Sequence, residues 1–241
     1  MSTGHDRLKI SQFFDKVSGL YDPWFQKDVH YLEMLEAIVD DLEGYDRRRI
    51  VELGCGSGNL TVLLAERFPT AEIIAVDVST ELLSIARKKC EGKNNVAFVN
   101  DNMLSFMSKL EKPASVVGNL SLHHLTDTEK RRLTNRVSRA IAGGDAFIIG
   151  DVFVTPSASV TREQAVLNTF HARCSYYLST VGIDRAIFEL EHVPLILKRR
   201  QEHLVGEDFW RECAADEKLR QVKSRIVGPG NLGNMIIEIT Q

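Results

Sequence analysis

The sequence predicts an α/β fold in which a mostly parallel sheet of seven strands carries helices on both faces. Short apolar runs alternate with helical patterns through the central part of the 241-residue chain, and a glycine cluster follows the first of these runs. The composition, with 44% hydrophobic and 26% charged residues, is that of an ordinary globular protein. Strands that alternate with helices form parallel sheets whose two faces are both covered.

The length and the charge of the chain indicate one domain without a general affinity for nucleic acid. At about 150 residues per domain, the chain suffices for one large domain or one domain with an appendage. Its 30 basic and 33 acidic residues give a formal charge of −3. This balance excludes strong nucleic-acid binding driven by net charge, although it does not exclude a local basic patch. We expect a single domain over residues 1–241.

The chain shows neither a targeting signal nor a disulfide pattern. Its apolar runs are far shorter than the roughly 20 residues that cross a bilayer. The first residues, MSTGHDRLK, have no apolar signal core. The four cysteines, at positions 55, 90, 174 and 213, form no CxxC pair. We therefore expect a cytoplasmic protein with reduced cysteines and no association with a membrane.

The elements of the central region follow from hydrophobic periodicity. Apolar runs predict strands at residues 49–53, 72–77, 96–100, 115–120 and 145–153. Helical patterns between them predict helices at residues 59–68, 80–90 and 126–142, the last of which ends at a pair of glycines. Two late strands are predicted at residues 221–227 and 234–240.

The N-terminal region departs from this alternation. Residues 8–45 are predicted to form two helices that are broken near Asp22-Pro23. We interpret the region as a helical lid, because aromatic faces attract cationic ligands, although simple core packing would also explain its aromatic residues. These aromatic residues are Phe13, Phe14, Tyr21, Trp24 and Phe25.

A second helical block, residues 157–200, separates the fifth strand from the two late strands. Ser157 or Ser159 is its expected N-cap, and Pro194 is expected to interrupt its later part. A crossover between parallel strands needs only about a dozen residues. We interpret the extra length as a helical cap inserted within the domain, with plain packing on the sheet as the alternative.

The most informative segment is the glycine loop, VELGCGSGNLT, at residues 51–61. Its glycines lie between a strand and a helix, where the backbone can approach a ligand and the helix presents free N–H groups. A dinucleotide site of the form G-x-G-x-x-G requires a third glycine where this chain has Asn59. A nucleotide phosphate loop requires a lysine that is absent here. The spacing G-x-G-x-G, preceded by Glu52, fits neither pattern.

This segment resembles the first motif of the class I S-adenosylmethionine-dependent methyltransferases, an acidic residue followed by x-G-x-G-x-G, at residues 52–58. Asp77 matches the family's acid at the end of the next strand, which holds both ribose hydroxyls through two acceptor oxygens. Asp101 matches the acid after the third strand, which meets the adenine amino group. The segment GNLSLHHL, at residues 118–125, resembles the fourth-strand motif, with Asn119 near the reactive end of the cofactor.

The resemblance covers residues 45–155 and implies a Rossmann-like sheet. By resemblance, the strand order is 3-2-1-4-5-7-6 with the last strand antiparallel. The implied activity is transfer of a methyl group from S-adenosylmethionine, by in-line displacement, to a small-molecule acceptor. The implied cofactor-binding residues are Glu52, Gly54, Cys55, Gly56, Gly58, Asn59, Asp77, Val78, Asp101, Asn102, Met103 and Asn119.

A looser resemblance leaves other activities open. The segment FFDKVSGLYD and the late sequence are similar to the quinone-biosynthesis C-methyltransferases and the carboxy-S-adenosylmethionine synthases. A synthase would modify the cofactor itself, accept prephenate and need a cationic pocket. A tRNA or protein methyltransferase and a non-catalytic cofactor-binding protein are further alternatives. A nicotinamide dehydrogenase is the least favoured, because of Asn59.

The candidate catalytic residues are His123 and His124, at the C-terminal end of the fourth strand, where open α/β sheets collect their ligands. Either could act as a general base for a protonated acceptor, with a purely structural role as the alternative. Tyr21 is a candidate pocket wall or hydroxyl donor. No metal is expected, because two successive histidines in a strand would point apart. Weaker candidates for substrate contact are His171, Tyr176, Tyr177 and His203.

The expected partner is a small-molecule methyl acceptor. Basic groups at residues 47–49, 130–132 and 198–200 are scattered along the chain and are interpreted as solvated faces, so nucleic acid is not expected. The aromatic N-terminal helices could pair two subunits, which leaves a homodimer open.

Overall fold

The computed structural model describes residues 22–198, 202–219 and 221–241. In this part of the chain one sheet is formed by β1 (Arg49–Leu53), β2 (Glu72–Asp77), β3 (Val96–Asn100), β4 (Ser115–Asn119), β5 (Phe147–Val152), β6 (Gln221–Ile226) and β7 (Asn234–Thr240). The helices are α1 (Val29–Leu42), α2 (Asn59–Arg67), α3 (Thr80–Lys89), α4 (Met103–Met107), α5 (Asp127–Ala140), α6 (Arg162–Thr180), α7 (Ile183–Leu197) and α8 (Glu207–Asp216).

The order of the strands is β3-β2-β1-β4-β5-β7-β6, as predicted. The first five strands are parallel to one another, and β7 lies antiparallel between β5 and β6. The central strands are buried on both faces, and every residue of β5 is buried. Such strands are near-continuous apolar runs, which is why they can be recognised in the sequence.

Two hydrophobic layers cover the sheet, one on each face. Successive residues of β5 alternate between them: Ile148 packs with Met34 and Ile38 of α1, whereas Phe147 packs with Trp210 of α8. The helices α1 and α2 belong to the first layer, and α4, α5 and α8 belong to the second. The sheet and its two covering layers form a three-layer structure. Because the first five strands are parallel, their carboxyl ends lie at the same edge of the sheet.

The fourth strand is shorter than predicted. It ends at Asn119 rather than at residue 120, because Leu120 has a φ of +47°, a left-handed conformation that an extended strand cannot contain. A 3₁₀ helix, Leu122–His124, follows. The fifth strand likewise occupies only part of residues 145–153, since Asp145 closes the preceding turn by accepting the N–H of Ala142.

The helical regions at the two ends also differ in detail from the prediction. Residues 22–25 are helical, so the chain is interrupted at residues 26–28 rather than near Asp22-Pro23, and Asp28 caps α1. Thr161, rather than Ser157 or Ser159, caps α6. Pro194 lies inside α7, which continues to Leu197. Phe13, Phe14 and Tyr21 lie outside the described residues.

A buried ion cluster joins α6 to α7 and, through tyrosine hydroxyls, to α1. Arg173 contacts Glu189 at 3.1 Å, and Arg185 contacts the same carboxylate at 2.6 Å. The hydroxyl of Tyr177 donates to Asp28 at 2.9 Å, and that of Tyr176 donates to it at 3.2 Å. These contacts place the α6–α7 hairpin against the start of α1.

One carboxyl group is buried between β1 and α2. Glu52 is 2% exposed, and its Oε2 accepts a hydrogen bond of 2.6 Å from Thr61 Oγ1. Burial raises the pKa of this carboxyl to about 8, because the ionised form loses its hydration.

The contact of α2 with α3 depends on a glycine, which gives the first prediction. Gly58 and Gly92 both have a φ of +83°, but only at Gly58 would a Cβ collide, 2.8 Å from Ala86 Cβ. We expect Gly92→Ala to cost about 1–2 kcal/mol through its backbone alone. Gly58→Ala should cost about 1–3 kcal/mol more, because it also overpacks the helix contact. Equal losses in urea unfolding would contradict this.

The buried carboxyl predicts a pH dependence of stability. The unfolded chain releases the Glu52 proton near pH 4.3, whereas the folded protein keeps it up to about pH 8. The folded state therefore binds more protons in this interval, and its stability falls as the pH rises. Glu52→Gln keeps an acceptor for Thr61 and cannot ionise. Relative to the parent, we expect it to gain up to about 1.4 kcal/mol per pH unit between pH 5 and 8.

Urea unfolding at several pH values measures this gain. The exposed residue Glu81 provides the control variant, Glu81→Gln. A difference between Glu52→Gln and the parent that does not change with pH would show that the buried carboxyl is ionised throughout.

Candidate active site

A pocket of about 1150 Å³, including the space at its mouth, opens at the carboxyl edge of the parallel strands. All the predicted cofactor residues except Gly58 line it, and so does His124. His123 lies behind this lining, and Tyr21 is outside the described residues. Phe25, from the predicted aromatic group, also lines the pocket. Lining residues that were not predicted are Tyr31, Ser57, Leu60, Val76, Leu82, Leu120, Ser121, Leu125 and Glu129.

The glycine loop is fixed by the end of β2. The carbonyl of Val76 accepts the N–H groups of Gly54 and Cys55 at 2.8 and 3.1 Å. The carboxylate of Asp77 accepts the N–H of Gly56 through Oδ2 and that of Ser79 through Oδ1, both at 2.8 Å. A carboxylate offers about four acceptor positions, so Asp77 can hold the loop and still accept from a ligand.

At the end of β3, Asp101 is an ionised carboxylate. Lys109 Nζ donates to it at 2.9 Å, and this hydrogen bond holds its pKa below the ordinary value. The neighbouring Asn102 caps α4, because its Oδ1 accepts the N–H groups of Leu104 and Ser105. Asp101 therefore presents a negative charge to the pocket, and Asn102 fixes the backbone beside it.

A buried acceptor lacks a donor at the end of β4. Within the described residues, Asn119 Oδ1 has almost no exposed surface and receives no hydrogen bond. Buried polar atoms of this kind are normally paired, and leaving one unpaired costs about 1–3 kcal/mol. Because Asn119 lines the pocket, a bound molecule with an N–H group would satisfy it.

The segment that precedes α1 packs over the glycine loop. Asp22 accepts a hydrogen bond of 2.6 Å from Ser57 Oγ and forms an ion pair of 2.7 Å with Lys89. Phe25 and Tyr31, whose ring centroids are 4.2 Å apart, form an aromatic wall of the pocket. Of the predicted aromatic group, Trp24 packs instead on Phe188.

The two histidines do not point apart, as a strand would require, because they lie in the 3₁₀ turn that follows β4. Their ring centroids are 4.1 Å apart. Nδ1 of His123 is 2.6 Å from Asp151 Oδ1, and its backbone N–H donates to Oδ2 of the same carboxylate. Burial lowers the pKa of His123, but the charges of Asp151 and Glu202 outweigh burial and raise it to about 9.

Glu202 lies opposite both imidazoles. Its Oε2 is 3.4 Å from His123 Nε2, and its Oε1 is 3.6 Å from His124 Nδ1. Burial raises the pKa of this carboxyl. Neither Glu202 nor Asp151 was predicted. Asp151 sits near the end of β5, so the rule that ligands meet at strand ends could have found it, whereas Glu202 follows the whole α6–α7 hairpin.

Lys130 is buried beside this turn, so it does not belong to a solvated face as predicted. It is 1% exposed, and its Nζ donates to the carbonyls of Leu125 and His203. The N–H of His203 donates to the carbonyl of His123 at 2.6 Å. These bonds tie the turn after β4 to the segment before α8.

The remaining candidates have other roles. Tyr176 and Tyr177 bond to Asp28, and neither they nor the exposed His171 line the pocket. Burial raises the pKa of the Cys55 thiol well above its ordinary value, which suits a small apolar filler rather than a nucleophile. No helix in the described ranges is long and apolar enough to cross a membrane.

Residues 50–144 match a family model described as "Methyltransferase domain". An uncharacterized methyltransferase of Bacillus cytotoxicus is 29% identical over 193 residues, which are 75% of this chain and 88% of that protein. An uncharacterized protein of Synechococcus is 30% identical over 176 residues, or 70% of this chain. The chain spans only 42% of the length of that second relative.

Solved structures with this fold include a complex of DhpI with S-adenosylhomocysteine, which has a TM-score of 0.62 and 15% identity and covers 98% of each chain. An O-methyltransferase family 2 protein of Planctomyces limnophilus in complex with apigenin has a TM-score of 0.59 and 16% identity, over 86% of this chain and 57% of that one. The chain therefore contains a methyltransferase domain at residues 50–144 and has the fold of these solved structures.

Proposed function

We propose that this protein transfers a methyl group from S-adenosylmethionine to a small-molecule acceptor. The observation that carries the proposal is one pocket lined by the Asp77 carboxylate, the unpaired Asn119 oxygen and the His124 imidazole. The first two suit the cofactor, and the third suits an acceptor with a proton to lose. The Planctomyces limnophilus O-methyltransferase family 2 protein, which has this fold, is in complex with the small molecule apigenin, and this supports the proposal of a small-molecule acceptor.

The residues present fit this cofactor. Asp77 has acceptor positions left for a vicinal diol, and Asp101 offers a carboxylate to an adenine amino group. Asn119 Oδ1 needs a donor such as the ammonium group of the methionine part. The N-terminus of α2, which follows the glycine loop, suits a carboxylate. Cys55, Asn59, Val78, Asn102 and Met103 complete the proposed contacts.

The cofactor, when bound, supplies a methyl group on a positively charged sulfur, which is already electrophilic. The protein must therefore mainly orient the acceptor relative to that methyl group, which can contribute on the order of 7–11 kcal/mol at best. The faces of Phe25 and Tyr31 offer electron density to a cation in the pocket. Water is excluded on this side by the same aromatic wall.

We propose that His124 activates the acceptor. It is the histidine that lines the pocket, and the carboxylate of Glu202 lies 3.6 Å from its Nδ1, where it stabilises the charge of a protonated imidazole. His123 supports the turn from behind and is held by Asp151. Tyr21, which lies outside the described residues, remains a proposed pocket wall or hydroxyl donor.

We further propose that residues 8–45 form a lid and residues 157–200 a cap. Asp22 already holds Ser57 and Lys89 at the glycine loop, and Phe25 and Tyr31 of the same region line the pocket. The α6–α7 hairpin supports this region through Asp28. Movement of the lid would admit the cofactor and then shield it.

Calorimetry with S-adenosylhomocysteine tests the cofactor site. Binding by the parent, with no heat from NAD, is expected. Asp77→Asn removes a charged acceptor, so its dissociation constant should rise about 10- to 100-fold. Asp145→Asn alters a buried carboxyl in the turn before β5, whose Oδ2 accepts the Ala142 N–H, and should bind like the parent. No binding by the parent would overturn the proposed function, and unchanged affinity of Asp77→Asn would remove this residue from the site.

Turnover with whichever phenol, catechol or carboxylic acid the parent methylates tests His124. We expect His124→Gln to lower kcat by about 10²- to 10⁴-fold, because general-base assistance is lost. Its affinity for S-adenosylhomocysteine should stay within about threefold. His171→Gln, on the exposed face of α6, is the matched control. A kcat equal to that of the parent would return His124 to a structural role.

A further inference from the structure

The turn after β4 and the segment before α8 bring two imidazoles and a carboxylate together. Ligand atoms of His123, His124 and Glu202 all lie within 4.8 Å of one another. We propose that these three residues bind a divalent transition-metal ion, such as Zn²⁺, at the acceptor end of the pocket. This places a metal where none was expected, since the 3₁₀ turn brings the histidines together instead of pointing them apart.

The distances fit a shared ion better than direct pairing. Glu202 is 3.4 Å from His123 Nε2 and 3.6 Å from His124 Nδ1, both beyond the usual 2.7–3.2 Å of an N–H···O hydrogen bond. Two ligand atoms that are each about 2.1 Å from a tetrahedral ion lie roughly 3.4 Å apart. The separation of each imidazole nitrogen from the nearer Glu202 oxygen is therefore close to that of two ligands of one tetrahedral ion.

A supporting contact has the form that metal-binding histidines usually show. His123 Nδ1 lies 2.6 Å from Asp151 Oδ1, so this nitrogen donates to the carboxylate and leaves Nε2 on the side of Glu202. Metal-ligating histidines nearly always donate their second ring N–H to a carboxylate or a carbonyl, which fixes the ring and raises its basicity. The backbone N–H of His123 donates to the second oxygen of Asp151, so the orientation of this carboxylate is also fixed.

The donor set and the charges select the class of metal. Two imidazoles with one carboxylate favour Zn²⁺, Co²⁺ or Fe²⁺ over Mg²⁺ and Ca²⁺, which prefer oxygen ligands. Glu202 and Asp151 are both buried, and their carboxyl groups lie beside the imidazole of His123, which is an environment that suits a cation.

The metal site extends the proposed function, and its role in methyl transfer rests on that function. Three protein ligands leave a fourth position open, as in catalytic zinc sites. Because His124 lines the pocket, that position can take an oxygen of the acceptor, such as a phenol or an alcohol. A bound ion would lower the pKa of that hydroxyl, whose proton would leave to the solvent. In the metal-bound protein His124 would act as a ligand, and its proposed role as a base would apply to the protein without metal.

Titration of the chelator-treated full chain with Zn²⁺ and with Co²⁺ tests the inference. We expect one equivalent of each to bind, with the strong visible absorption of tetrahedral Co²⁺, and no competition from Mg²⁺. Glu202→Gln should weaken binding at least 100-fold. Asp151→Asn leaves all three ligands and should weaken it about 10- to 100-fold.

Glu33→Gln is the matched control. Glu33 forms a pair of 2.8 Å with His30 but belongs to no three-membered group among the described residues, so the variant should bind the metal like the parent. Circular dichroism checks folding. If Glu202→Gln does not fold, the metal affinities of Asp151→Asn and His124→Gln test the proposed site instead.

Two results would overturn the inference: a parent that binds neither ion, or folded site variants that bind as tightly as the parent. The affinity of the chelator-treated protein for S-adenosylhomocysteine separates this inference from the proposed function. If the protein binds the cofactor but no metal, the proposed function is supported and the metal site is rejected. If it binds the metal but no cofactor, the metal site is supported and the proposed function is rejected.

Discussion

The carboxylate of Asp77 connects three elements that the pocket requires in fixed positions. It ends β2, holds the glycine loop through the N–H of Gly56, and holds the start of α3 through the N–H of Ser79. Val76 adds its carbonyl to the first two N–H groups of the loop. The conformation of the glycine loop, which lines the pocket, therefore depends on the Asp77 side chain. The Asp77 carboxylate still has acceptor positions left for hydrogen bonds from a ligand.

The charges of the pocket suit a cationic ligand. Four acidic residues, Glu52, Asp77, Asp101 and Glu129, line it. Their environments differ: the Lys109 hydrogen bond keeps Asp101 ionised, whereas burial raises the pKa of Glu52 to about 8. A cation placed near Glu52 would favour its ionised form and release a proton. The affinity for such a cation would then depend on pH through Glu52, which also forms part of the packing between β1 and α2.

Local patterns predicted most of the fold and the cofactor end of the site. Apolar runs delimit β1, β2, β3 and β7, because these strands are bounded by turns that the sequence marks. The acceptor end was predicted less well, because its geometry is set by tertiary contacts. Leu120, with its left-handed backbone, directs the chain out of β4. Glu202 follows the α6–α7 hairpin in the sequence and lies near the histidines only in the folded protein. Lys130 is buried because distant carbonyls receive its ammonium group. Periodicity carries no information on such pairings.

The position of β7 has a consequence for biosynthesis. β5 pairs with β7 from Phe147 to Val152, and β7 follows the other six strands of the sheet along the chain. While the chain is being translated, β5 is therefore the open edge of the nascent sheet, although all its residues are buried in the finished protein. Such an edge is a template for pairing between chains. The pairing of β7 with β5 and β6 closes this edge, so a chain that stops before β7 would expose β5 and be prone to aggregation.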